Sequence, residues 1–141
     1  MGFLADRKIL ITGVLSNRSI AYGVAKACQR EGATLAFTYV NDELKDRVAR
    51  LAADFGPCPL LRCDVGRDDE IDALGEALKA DYGTIDGYVH SVAFAPAAEL
   101  TNPFRETTRA GFNTALSVSV YSLIAVSARL VPLMPNGGSI T

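Results

Sequence analysis

Ile9-Leu10-Ile11-Thr12-Gly13-Val14-Leu15-Ser16-Asn17-Arg18-Ser19-Ile20-Ala21-Tyr22-Gly23 joins an apolar strand, a glycine turn, a short polar loop and the small-residue start of a helix. Gly13 lets the backbone turn sharply and come close to a ligand. The free N–H groups at the head of the helix then face an anion, as a dinucleotide pyrophosphate requires. Serine stands at 19 where the common G-x-G-x-x-G pattern has glycine, so the loop is a variant of that fingerprint. Without a ligand the same residues read as a glycine turn with Ser19 capping the helix. Their place behind an N-terminal strand favours the nucleotide reading.

Outward from this loop, strand-like and helix-like segments alternate. Lys8 to Thr12 reads as a buried first strand. The helix from Ser19 carries Ile20, Val24, Ala27 and Cys28 on one side and stops at Gly32. Thr34 to Val40, rich in β-branched and aromatic residues, reads as the second strand. Asn41-Asp42-Glu43 supplies a cap and an acidic first turn to a helix with Leu44, Val48, Leu51, Ala52 and Phe55 at helical spacing. Gly56-Pro57 ends it. Leu60 to Val65 is a third strand, followed by a helix carrying Ile71, Leu74, Leu78 and Tyr82. Ile85 to Val92 is a fourth strand, and Ala93 to about Pro103 a loop. Thr107 or Thr108 caps a long last helix with Phe112, Leu116, Leu123, Val126 and Leu130. Ser139 to Thr141 opens a fifth strand, so the pattern reads as a domain cut at the start of that strand. Such alternation predicts an α/β, doubly wound parallel sheet of the Rossmann type across residues 1–141.

Composition narrows the function. The 141 residues are 49% hydrophobic and 21% charged with a net charge of −2, an ordinary globular balance with no basic stripe for nucleic acid. Cys28, Cys58 and Cys63 lack C-x-x-C spacing, and with a single histidine they build no metal cluster. No apolar run approaches the length of a membrane span and no signal peptide is evident, so a cytoplasmic protein is expected. Met1-Gly2 opens like a myristoylation site, but Asp6 stands where that motif needs Ser or Thr.

Three further segments carry candidate chemistry. Asp64-Val65 ends the third strand, where a carboxylate accepts from an adenine amino group and the next N–H donates to the ring. The same aspartate also suits a turn cap. In His90-Ser91-Val92-Ala93-Phe94-Ala95-Pro96, small residues let backbone lie against a ribose and nicotinamide, and Phe94 and Ala95 begin a pocket wall. His90, the lone histidine on a buried strand, reads as structural rather than as a base. At Val40-Asn41 neither an acid nor a base meets the adenosine ribose, and the nearest cation is Lys45. NADH is therefore favoured over NADPH. Tyr22-Gly23-Val24-Ala25-Lys26 matches the Tyr-x-x-x-Lys pair of many short-chain dehydrogenases, but on the first helix it sits at the pyrophosphate end, out of reach of a hydride acceptor.

Together these residues resemble the bacterial enoyl-acyl-carrier-protein reductases, a divergent branch of the short-chain dehydrogenase/reductase superfamily. The resemblance runs from Met1-Gly2-Phe3-Leu4 through Thr12-Gly13, Ser19-Ile20-Ala21-Tyr22-Gly23, Ala36-Phe37-Thr38-Tyr39, Cys63-Asp64-Val65 and His90-Ser91-Val92-Ala93-Phe94-Ala95-Pro96. It implies that Gly13, Ser19 and Ile20 meet the pyrophosphate, Val40 packs on the adenosine, Asp64 and Val65 hold the adenine, Val92 lies by the nicotinamide ribose and Ala95 touches the acyl group. It implies NADH as cofactor, an acyl-carrier-protein-bound enoyl substrate and a homotetramer in which the last helix packs on a sister subunit. The resemblance also puts the catalytic tyrosine and lysine after the fifth strand, beyond Thr141, so these residues alone are expected to be inactive. Ala93 replaces a glycine frequent in the family, which leaves sensitivity to diphenyl-ether inhibitors open.

Overall fold

Lys8–Ile11, one lysine followed by three apolar residues, forms β1 at the centre of the sheet. The computed structural model describes residues 2–141. After β1 come α1 (Ile20–Arg30), β2 (Thr34–Tyr39), α2 (Asp42–Ala52), β3 (Leu60–Arg62), α3 (Asp68–Tyr82) and β4 (Gly87–Val89). They are followed by α4 (Ala97–Thr101), α5 (Arg109–Leu133) and β5 (Ser139–Ile140). The five strands are parallel in the order β3-β2-β1-β4-β5. The chain winds one way from β1 to β3, then returns to the other side of β1 for β4. The reversal leaves a crevice between the C-terminal ends of β1 and β4.

Both faces of the sheet are covered, which is why its strands are apolar without alternation. Ile9, Ile11, Leu35 and Phe37 face α1 and α2, packing with Ala21, Tyr22, Ala25 and Val48. Leu10, Ala36 and Tyr88 face the other layer, with Leu74 and Leu78 of α3 and Val126 and Leu130 of α5. Registers Ile11↔Phe37 and Phe37↔Leu60 set one row of side chains across three strands.

Several expectations change. β1, β3 and β4 end earlier, at Ile11, Arg62 and Val89, because the chain leaves the ladder to form the crevice. On α1 the buried face is Ala21, Tyr22, Ala25 and Cys28, whereas Ile20 is 80% exposed. Alanines admit close approach of helix to sheet, a gain that ranking by hydrophobicity misses. Within the expected loop, α4 forms behind Pro96, and its Glu99 carboxylate accepts from the Thr108 N–H (3.1 Å) and hydroxyl (2.6 Å). Thr108 in turn caps α5 by accepting from the Gly111 N–H at 3.0 Å.

The last helix is not a uniform α-helix. Ser117–Tyr121 is a π turn between α-helical Arg109–Leu116 and Ser122–Leu130. Its extra residue rotates the apolar stripe. Ser122, Val126 and Leu130 face the core, while Phe112, Leu116, Val120 and Ile124 face outward. With 25 residues and a most apolar window of mean hydropathy 1.6, α5 is long and apolar enough to cross a membrane by length and composition. That corrects the expectation that nothing approaches a span. Serines break the helix into short apolar runs, yet the window average stays high because valines, leucines and alanines fill the rest. In the fold its inner face packs on α3, where Arg129 pairs with Asp72.

Asp86, just before β4, ties the start of the sheet together. Its carboxylate accepts from the Lys8 N–H at 2.9 Å and pairs with Arg7 at 2.8 Å. Those partners, the Lys8 amide first, hold its pKa below the ordinary value. A depressed folded value stabilises the fold above the unfolded carboxylate pKa and loses that contribution as pH falls through the folded one. Asp86→Asn is therefore expected to cost about 1 kcal/mol at neutral pH and to flatten the acid limb of stability, measured by urea unfolding at stepped pH.

Candidate nucleotide-binding site

Four strand ends build one cleft of about 440 Å³ at the reversal point. Gly13, Val14 and Leu15 follow β1. Thr38, Tyr39 and Val40 close β2, Cys63 to Gly66 follow β3, and Ser91 to Phe94 follow β4. Val118, from the π turn of α5, completes the wall.

Gly13 is the pivot. Its φ is +84°, and a Cβ there would lie 1.8 Å from the Ser91 carbonyl oxygen. Thr12 fastens the same crossing: its hydroxyl donates to Val89 O at 3.0 Å and accepts from Ser91 N at 3.2 Å. Beyond Gly13 the loop closes through Ser16, whose carbonyl accepts from the Ser19 hydroxyl at 2.7 Å and whose Oγ accepts from Arg18 N at 3.1 Å. Ser19 stands at the N-cap of α1 yet makes no side-chain cap, because its hydroxyl is turned to Ser16. Among the described residues the amides of Ile20 and Ala21 meet no acceptor. Those donors sit at the positive end of the helix, where an anion is stabilised.

At the end of β3 the carboxylate of Asp64 works on both sides. Its Oδ1 accepts from the Gly66 N–H at 2.9 Å, the turn-capping role, while Oδ2 has no protein partner among the described residues. Glu70 of α3 holds the strand end, its Oε2 accepting from the Asp64 N–H at 2.7 Å and its Oε1 lying 3.3 Å from Arg62 and 3.5 Å from Arg67. The neighbouring Val65 N–H meets no protein acceptor among the described residues. One carboxylate oxygen and the next amide thus present an acceptor and a donor side by side. Cys63 lines the same wall, and burial, reinforced by Glu70 and Asp64, pushes its thiol up to about 12. It is inert packing.

Gly13, Val40, Asp64, Val65 and Val92 all line this cleft, whereas Ser19, Ile20 and Ala95 do not. Ser19 and Ile20 stand at the far end of the glycine loop, and Ala95 is one residue past the last wall residue, Phe94. Val40 is at the rim, and the Asn41 side chain is spent on α2, accepting from Leu44 N at 3.1 Å. Lys45 lies with its Nζ 5.7 Å from the Tyr39 ring centre. Tyr22 donates to Asp54 at 2.6 Å, which raises its pKa, and Lys26 lies over its ring. That pair belongs to the α1–α2 layer and stays outside the cleft. No metal-ligand cluster exists among the described residues. Sequence reading missed Glu70 and Val118, since only folding brings α3 and α5 to the strand ends.

Residues 13–141 match the family model described as Enoyl-(Acyl carrier protein) reductase. The chain is 49% identical over 140 residues to the enoyl-acyl-carrier-protein reductase (NADH) FabI of Neisseria meningitidis serogroup B, covering 99% of this chain and 54% of that protein. The crystal structure of enoyl-acyl-carrier-protein reductase (NADH) from Aquifex aeolicus superposes with a TM-score of 0.95 at 46% identity, covering 99% of this chain and 56% of that one. The Bacillus cereus enoyl-acyl carrier protein reductase, solved with NADP+ and an indole naphthyridinone, superposes with a TM-score of 0.95 at 37% identity over 99% and 55% of the two chains. The chain spans about half the length of the curated relatives it matches. On the strand–loop–helix geometry, the family match and these identities, the chain belongs to the enoyl-(acyl carrier protein) reductase family.

Proposed function

We propose that residues 1–141 form the dinucleotide-binding part of an NADH-dependent enoyl-acyl-carrier-protein reductase, which reduces trans-2-enoyl thioesters to acyl thioesters. The observation that carries the reading is a set of unpartnered polar groups: the Val65 amide and Asp64 Oδ2 on the cleft wall, and the Ile20 and Ala21 amides at the head of α1, at the far end of the glycine loop that lines the cleft. In this reading Gly13, Ser19 and Ile20 seat the pyrophosphate, with Ser19 shaping the loop through Ser16. Asp64 and Val65 hold the adenine amino group and ring, Val40 packs on the adenosine, and Val92 lies along the nicotinamide ribose. Ala95, just past Phe94, begins the acyl wall. When bound, the reduced nicotinamide supplies a hydride to the enoyl β-carbon. The protein's task here is to orient that ring and keep one side of it dry.

NADH is preferred because the rim at Val40 and Asn41 offers no free cation to a 2′-phosphate. Lys45 of α2 lies over the Tyr39 ring, and Arg62 is paired with Asp42 and Glu70. The Tyr22–Lys26 pair faces Asp54 and takes no part in hydride transfer. By themselves these residues bind nucleotide without turning over enoyl thioester, because the tyrosine that stabilises the enolate is not among those at the cleft. The exposed apolar face of α5, with Phe112, Leu116, Val120 and Ile124, supports a contact with a second copy in a homo-oligomer.

Asp64→Asn is the direct test. Asparagine keeps an oxygen for the Gly66 N–H and turns an amide nitrogen toward the adenine amino group. ADP and NADH are each expected to bind about 10-fold to 50-fold more weakly by calorimetric titration, the loss of a hydrogen bond to a charged acceptor, with the unfolding midpoint nearly unchanged. Unaltered ADP affinity in that variant would remove adenine from this wall.

A further inference from the structure

The polar side chains between β4 and the π turn of α5 form one ordered chain that stands behind the cleft. Ser122 is fully buried, with Oγ 2.6 Å from Val118 O and 3.0 Å from His90 Nε2. A hydroxyl has one proton, and a carbonyl can only accept. That proton therefore goes to Val118 O, and Ser122 accepts a hydrogen carried on His90 Nε2. Nδ1 is left bare and takes the phenolic proton of Tyr88, whose oxygen lies 2.5 Å away. Burial lowers the His90 pKa and raises that of Tyr88, so both stay neutral. A single tautomer satisfies every partner in the run Tyr88 to His90 to Ser122 to Val118.

Ser119 fastens the other end of the same segment. Its Oγ accepts from Phe94 N at 3.0 Å and donates to Phe94 O at 3.1 Å. The π turn and the first residue after it thus grip segment 90–94 at both extremities, and Val118, just before Ser119, forms part of the cleft wall. The adenine wall has its own clamp, Glu70, on a different helix. The two halves of the cleft are held by separate hydrogen-bond systems.

We propose that His90, Ser119 and Ser122 are positioning residues for the nicotinamide-ribose half of the bound dinucleotide, setting the 91–94 wall and Val118 without touching the ligand. The proposal rests on the dinucleotide reading of the cleft and assigns a selective consequence. Loosening this clamp weakens binding of the whole dinucleotide and spares a ligand that uses the adenine half alone.

The test uses the 141-residue chain with NADH and ADP as probes, and Ser119→Ala and Ser119→Thr as variants. In nitrogen-15 spectra of the ligand-free chain, the His90 ring is expected to carry its hydrogen on Nε2. Ser119→Ala is expected to bind NADH about 5-fold to 10-fold more weakly, as loss of one or two hydrogen bonds predicts, with ADP affinity within about 2-fold of the parent by the same scale. Ser119→Thr, which keeps the hydroxyl, should restore NADH binding. A hydrogen on Nδ1, equal losses for NADH and ADP, or unchanged NADH binding in Ser119→Ala would each overturn the proposal. A parent chain that binds neither nucleotide refutes the dinucleotide reading and this role with it. The imidazole spectrum then still reports whether the clamp itself is built as described.

Discussion

Alanine at position 13 is expected to abolish measurable NADH binding and to destabilise the fold by about 3 kcal/mol or more. Two effects add. The φ of +84° places the residue in the left-handed region, which costs an L-residue about 1–2 kcal/mol. The new methyl group would also stand 1.8 Å from the Ser91 carbonyl oxygen, so the backbone of one cleft wall must move. Close-packed interiors resist such movement. Displacing Ser91 shifts the Val92–Phe94 wall and opens the Thr12 staple, so binding and stability fall together. Gly83→Ala is the matched control: its φ is +72°, with nothing within 4 Å of the added Cβ. It bears the conformational cost alone and keeps parental NADH affinity. Urea midpoints at constant slope, with NADH fluorescence titration, read both variants. A parent-like midpoint in Gly13→Ala would show that the β1–β4 crossing is looser than its geometry states.

Phe37→Ala is expected to be the costlier core change, about 3–5 kcal/mol. The ring is fully buried in the middle of the row Ile11–Phe37–Leu60 and lies 5.3 Å from the Phe55 ring, which in turn meets Tyr22 at 5.2 Å. Deleting it leaves a cavity bounded by strands on both sides, where the sheet ladder prevents collapse. Phe37 does not itself line the cleft, so the variant keeps its ligand groups. Saturating NADH at about 100 times its dissociation constant should return about 2.7 kcal/mol to Phe37→Ala and nothing to Gly13→Ala. Thermal melts with and without NADH separate the two, and absence of rescue in Phe37→Ala would mean that the hole reaches the cleft.

These two positions differ in how they could be read from the chain. Gly13 follows three apolar residues and a threonine and precedes a helix start, so its need for a turn is a local matter. Phe37 sits in a β-branched and aromatic run, which announces a strand but says nothing of its neighbours in the row. The same division holds elsewhere. Asn41 and Thr108 were legible as caps because capping involves residues three apart in sequence. Ile20, at the head of α1, is exposed where its spacing predicts burial, because the sheet selects the smaller Ala21 and Ala25.

Strand and helix order, the parallel sheet, the glycine turn and the Asp64–Val65 pair all follow from side chains acting on nearby backbone. Periodicity, φ preference and capping are local, so they are written in a linear string. Folding alone decided that Glu70 secures the Asp64 amide, that Ser19 turns to Ser16, and that a π turn brings Val118, Ser119 and Ser122 to the end of β4. Most of those pairings join residues from separate elements, such as His90 and Ser122, or hang on one extra residue in a helical turn, while Ser19 chooses between two local partners, its own helix and Ser16. Their energies exist only once the layers have packed and the intervening loops have closed.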